Sequence, residues 1–155
     1  MKIYDISQEV FSCRVYPGDP VPEKKVLSLM EKGELYNLTA FSMCAHNGTH
    51  IDAPFHFLKD GKTVDAICLE AFVGMAYVAE HHGIVSGDDA FPTVGSEDAP
   101  MKVHQVLLGA DVILLEGIRL EDVSEGVYFL NAAPLNLFGA DGSPCRAILI
   151  DIVER

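Results

Sequence analysis

Apolar residues in the first half of the chain alternate with polar ones or cluster in short runs, which is the spacing of β-strands. Lys2–Ile6, Lys25–Met30 and Tyr36–Cys44 read as strands, separated by the Pro/Gly-rich loop Tyr16–Pro22 and by Glu31-Lys32-Gly33-Glu34. A short helix is expected over Val64–Glu70. Gly74–Glu80 and Val112–Glu116 read as buried strands, and Gly126–Leu130 and Cys145–Val153 as further strands flanking the turn Ala140-Asp141-Gly142-Ser143. Pro100–Gly109 carries helix signals: Pro in the first turn, Gly at the end, and Val103, Val106 and Leu107 on an apolar face with His104 beside it. No repeat or linker divides the chain, so residues 1–155 are expected to form a single α/β or α+β layered domain.

Bulk composition narrows the partners. An apolar fraction of 49% argues against disorder. With 23 acidic against 11 basic residues, the formal charge of −12 repels nucleic acid and anionic membranes, and no basic stripe offsets it. Cys13, Cys44, Cys68 and Cys145 are widely spaced among apolar neighbours and read as reduced core residues. Strand-like sequence follows Met1-Lys2 at once and no apolar run is long enough to span a membrane, so neither a signal peptide nor an anchor is expected. These features together predict a cytoplasmic protein.

The chemistry gathers in His46-Asn47-Gly48-Thr49-His50-Ile51-Asp52-Ala53-Pro54-Phe55-His56, which holds half of the chain's 6 histidines. Gly48 permits a tight turn and Pro54 stops a helix from running through, so a loop entering a short strand is expected. On an extended Thr49–Asp52, His50 and Asp52 share one face while Ile51 points into the core, and His46 can fold back to join them. A lone core histidine or aspartate usually satisfies a backbone group, but four such groups around one turn indicate a metal. Imidazole nitrogen and carboxylate oxygen suit zinc, manganese or iron. Glu116 closes the apolar run Val112–Leu115, where a buried carboxylate needs a partner; a cation or an Arg would serve.

The eleven-residue run resembles the H-x-G-T-H-x-D-x-P-x-H signature of the cyclase family, which includes bacterial kynurenine formamidases and isatin hydrolases. The resemblance continues through Tyr4-Asp5-Ile6-Ser7, Tyr16-Pro17-Gly18-Asp19-Pro20, Leu69–Gly74, Val103–Leu108, Ile113–Gly117 and Gly139–Ala147. It implies the swivelling β/β/α fold, with a mostly β core and flanking helices. It also implies two divalent ions per chain, zinc first and manganese also suited. His46, His50 and Asp52 would hold one ion; Asp52, His104 and Glu116 the other. His56 would carry the proton, and a homodimer or larger assembly is implied as well.

The implied activity is metal-dependent hydrolysis of an aryl formamide such as N-formylkynurenine, giving formate and an amine. Two ions sharing Asp52 would lower the pKa of water to about 7 and polarise the carbonyl under attack. Tyr16 matches the family loop that offers an aromatic, typically Trp, to the substrate; this chain has no Trp. A loop-anchoring role suits Tyr16 equally. Phe55 and Phe57 are expected in the core, opposite His56 on a strand-like segment. As alternatives, the site would open another cyclic amide or a lactone, as isatin hydrolases do, or belong to a non-catalytic metal-binding relative. His56 speaks against the last, since metal binding does not require it.

One departure stands out. Between His56 and His104 the chain is shorter than the family pattern by about 30 residues or more, the size of a strand-helix unit. The shortening is expected near 89–93, inside a polar loop Ser86–Ala99 that is long for a compact domain. Either the chain is a trimmed relative or a stretch is left out at a junction there. All the ligand positions survive it.

Overall fold

The computed structural model describes residues 1–79 and 102–151. Strands β1 (Lys2–Asp5), β5 (Val73–Val78), β7 (Gly126–Asn131) and β9 (Ile148–Asp151) form an antiparallel sheet in the order β1-β9-β7-β5. A second sheet places β4 (His50–Asp52) between β6 (Leu114–Glu116) and β8 (Gly142–Pro144), antiparallel to both. A separate hairpin joins β2 (Glu23–Ser28) to β3 (Leu38–Ser42). Helix α1 (Lys102–Gly109) is the one α-helix among the described residues.

A contiguous apolar cluster joins the first two sheets, with Ile51 from β4, Tyr128 from β7 and Leu149 from β9 each 2% exposed. Ile6 and Phe72, also 2% exposed, belong to the same cluster. Each such side chain contributes about 1.5–3 kcal/mol of burial. The opposite face of the large sheet is also apolar. Register aligns Ile3 with Ile150, Ile150 with Phe129, and Phe129 with Met75, so these share one face, along with Tyr77 and Val127 two positions on. Ile3, Met75, Tyr77 and Val127 are exposed there.

The expected strands are present with shifted ends except for Cys145–Val153, but the two expected to be buried are not: β5 exposes Met75 and Tyr77, and β6 is half-buried throughout. Val64–Glu70 is not a helix: 3₁₀ turns at Val64–Ala66 and Leu69–Ala71 are separated by extended Ile67 and Cys68. Only Val64 in them is buried, so no apolar stripe exists to hold a helix down. Cys145–Val153 is not one strand. Pro144 ends β8, and Ala147 accepts hydrogen bonds from Ile6 N–H and Ser7 Oγ–H, so 145–147 hands the chain from the small sheet to the large one. Gly142 and Ser143 therefore belong to a strand, leaving Asp141 at the bend before it.

On α1 the inward positions are His104 and Leu108, one turn apart, while Val106 is exposed. All four cysteines are free, as expected, but Cys68 is exposed and the others only half-buried. The expected loop 86–99, the end of the strand at Glu80 and residues 152–153 lie outside the described residues.

Candidate metal centre

The site is built around the central strand of the small sheet. Hydrogen bonded on both sides, β4 alternates strictly: Ile51 enters the core while His50 and Asp52 project together from the other face. Glu116 lies directly across from His50 in the register, which brings its carboxylate onto the same face. The entering loop is locked by backbone and side-chain bonds. Gly48 takes the left-handed φ of 67°. Thr49 Oγ–H donates to the Gly117 carbonyl at 2.6 Å and accepts from Gln8 N–H at 2.9 Å.

Six predicted residues converge. His46 Nδ1 is 2.8 Å and His50 Nε2 3.3 Å from Asp52 Oδ1. The other oxygen, Oδ2, lies 3.8 Å from His104 Nε2, which is 2.9 Å from Glu116 Oε1. Asp52 thus serves two donor sets, His46/His50/Asp52 and Asp52/His104/Glu116, each with ligand atoms within 4.8 Å of one another. His56 sits beside them, its ring stacked on His46 at 3.8 Å. Tyr16 is placed on an exposed turn closed by a bond from Asp19 N–H to its carbonyl.

Two residues enter the site that the sequence reading did not assign to it. Pro54–His56 is a 3₁₀ turn and not a strand, so alternation fails and Phe57 turns toward the imidazoles. Its ring lies 4.3 Å from that of His56 and 4.9 Å from that of His104. Phe55 is exposed instead of buried. Asp141, read as a turn residue, places Oδ2 3.0 Å from His46 Nε2 and 3.2 Å from His56 Nδ1. Partners so distant in sequence leave no local signal; only the turn's place just ahead of the strand beside β4 brings them together.

The donor set fits a divalent cation. Neutral imidazole has one N–H, yet both ring nitrogens of His46 face carboxylate oxygens. One of those contacts needs a second proton or a cation. Asp52, 1% exposed, has no Lys or Arg partner among the described residues, and a buried carboxylate without compensation is costly. His50 is already oriented, since its Nδ1–H must donate to the Gly48 carbonyl at 2.9 Å, leaving Nε2 bare toward Asp52 and Glu116. His104 Nδ1 is buried without a hydrogen-bond partner.

The protonation equilibria reflect this crowding. Burial works to raise the Asp52 carboxyl, but the neighbouring His46 and His50 imidazoles outweigh it and hold the group well below the usual carboxylate range. Burial would lower His46; its bonds to Asp52 and Asp141 prevail and raise it. For His56 burial and the neighbouring His46 charge win, keeping the ring below its ordinary value.

Comparison with known proteins agrees with this geometry. The Cyclase family model matches residues 4–116. The kynurenine formamidase of Geobacillus thermodenitrificans (strain NG80-2) is 32% identical over 200 aligned positions, covering 94% of this chain and 95% of that protein. That of Erythrobacter litoralis (strain HTCC2594) is 29% identical over 207 positions, covering 99% and 95%. A solved structure described as a "potential metal-dependent hydrolase with cyclase activity" superimposes with a TM-score of 0.77 at 25% identity, covering 99% of both chains. With the family model spanning most of its length and a formamidase aligned nearly end to end, this chain belongs to the cyclase family.

Proposed function

We propose that the chain is a metal-dependent hydrolase of the arylformamidase type, cleaving the C–N bond of N-formylkynurenine or a related aryl formamide to give formate and an amine. The observation that carries this reading is the sharing of Asp52 between two imidazole-carboxylate sets with a further histidine, His56, alongside. His46, His50 and Asp52 would hold one divalent ion, and Asp52, His104 and Glu116 a second. Zinc suits the nitrogen-rich set best and manganese the carboxylates. When bound, the metal acidifies water and polarises the substrate carbonyl.

The chain's own residues supply the remainder. His56, held neutral by burial and by His46, accepts the proton of the attacking water and returns it to the leaving nitrogen. Phe57 covers one side of His56 and His104 and keeps water from that edge. Tyr16 is proposed to meet the aromatic part of the substrate, where stacking would add about 0.5–1.5 kcal/mol.

The reading extends to the chain's organisation. Its relatives align over 200 and 207 positions against 155 residues here, which supports a single domain shortened between His56 and His104. The uncovered apolar face of the large sheet supports the same view. Exposed Val26, Leu38 and Phe41 on the β2–β3 hairpin support pairing with a second copy. No helix among the described residues is long and apolar enough to cross a membrane, and the free cysteines support a cytoplasmic location.

The test is to purify the protein without added metal, quantify zinc and manganese per chain, and measure N-formylkynurenine hydrolysis before and after chelation and metal return. Turnover that vanishes and returns with metal is expected. Metal bound without turnover would move the reading to another cyclic amide or a lactone, or to a non-catalytic metal-binding relative.

A further inference from the structure

Asp141 is unlike the other carboxylates of the site. It lies beyond both Asp52-centred sets, its side chain is 44% exposed, and a single oxygen, Oδ2, meets two imidazoles, with which it makes a third group of ligand atoms within 4.8 Å of one another. Those rings stack face to face at 3.8 Å, an arrangement that leaves their relative orientation undetermined unless something ties their edges. The tie is the carboxylate, which can only accept, with His46 Nε2 at 3.0 Å and His56 Nδ1 at 3.2 Å; Asp52 faces His46 Nδ1 in the same way, so a neutral His46 is free to donate to Asp141 once an ion lies between Nδ1 and Asp52.

The backbone at Asp141 is fixed independently of its side chain. The Asp141 carbonyl accepts from Ala53 N–H at 3.0 Å, and the preceding carbonyl of Ala140 accepts from Val64 N–H at 2.9 Å. Gly142 lets the ring come close, because a Cβ there would stand 2.4 Å from His46 Cε1. The bend at Asp141 and the strand that follows it are therefore shaped to receive the His46 edge.

We propose that Asp141 is a positioning residue for the metal-loaded site, orienting two rings at once so that His46 carries its proton on Nε2 and His56 on Nδ1. The His46 Nδ1 lone pair, 2.8 Å from Asp52 Oδ1, is then left for the ion that the two residues would share. His56 then keeps a bare Nε2, the atom that takes a proton. An outer carboxylate of this kind fixes ring orientation and ligand basicity. One carboxylate acting on both rings couples the ligand to the proton carrier. The kinetic consequence rests on the hydrolase reading; the tautomers rest on the metal site alone.

The test uses the full chain loaded with zinc and labelled with ¹⁵N. Long-range ¹H–¹⁵N spectra, assigned with His46→Gln and His56→Gln, are compared for the parent protein, Asp141→Ala and Asp141→Asn. The proposal expects the stated tautomers in the parent and their loss in Asp141→Ala. Zinc affinity by competition should fall about tenfold to a hundredfold at unchanged stoichiometry. With zinc saturating, kcat should fall about tenfold or more with KM held within about twofold. Asp141→Asn, which keeps the shape and one acceptor oxygen, guards against misfolding and should restore part of the affinity. Unchanged tautomers in both variants would overturn the proposal. Loss of a whole zinc equivalent would overturn it too, by making Asp141 a ligand. Shifted tautomers in a protein that never turns over N-formylkynurenine would uphold it and remove the formamidase reading instead.

Discussion

The small sheet and the outer face of the large sheet invert the usual distribution of side chains. In the first, His50 and Asp52 are buried charges or near-charges at 7% and 1% exposure; in the second, Met75 and Tyr77 are apolar or aromatic and stand 59% and 62% exposed. Buried polar groups are tolerated when they satisfy one another or bind a cation, and the small sheet provides partners for nearly all of them. Exposed apolar rows on an antiparallel strand are normally covered or replaced by polar residues. The six candidate site residues thus come together around the small sheet, while the large sheet carries a pattern written for a covering layer. On the shortened-chain reading, chemistry and shelter are separable in this molecule.

The strongest way to break that separation is Asp52→Asn. It should abolish turnover by about 10³-fold or more and release metal, a larger loss than the hundredfold bound for an outer residue, as read by metal analysis and assay. His56→Ala should keep the metal and cost about 10²-fold in rate; retention of both metal and activity would end its assignment as proton carrier.

Gly142→Ala tests the site at its backbone. The new methyl would meet Ile51 O at 2.7 Å as well as His46, so a loss of about 1–3 kcal/mol in a denaturant titration is expected, with weakened metal retention. On the other side of the comparison, Met75→Lys with Val127→Lys should leave turnover intact and change stability by no more than about 0.5 kcal/mol, while reducing binding of an apolar dye. A large destabilisation would mean that this face is covered after all.

The smallest effect concerns thiols. Burial pushes the Cys145 thiol up to about 11, so it stays protonated and slow to alkylate at pH 8 and gains reactivity only as pH approaches that value. Exposed Cys68 should react first, in peptide maps of iodoacetamide-treated protein.

Legibility in the sequence followed locality. The run His46–His56 could be read because its ligands are neighbours, and alternation alone placed His50 and Asp52 opposite Ile51. Most strands were legible for the same reason. The 3₁₀ turn at Pro54–His56 was not, because Phe57 turns inward through a local twist that a period-two pattern cannot express. The single strand expected over Cys145–Val153 failed because an apolar run does not reveal that Arg146 and Ala147 carry the chain between sheets. Asp141 was hidden because its partners are set by tertiary register, not by spacing.

Gly48 and Gly117 carry a further consequence. A Cβ on Gly117 would stand 2.2 Å from the Gly48 carbonyl oxygen, and both residues take a left-handed φ, 67° and 66°. Two segments far apart in the gene are thereby bound to one evolutionary fate. A side chain acquired at Gly117 would push on the turn that presents His46 and His50, so drift at a position with no chemistry of its own would be purged as strictly as drift at a ligand.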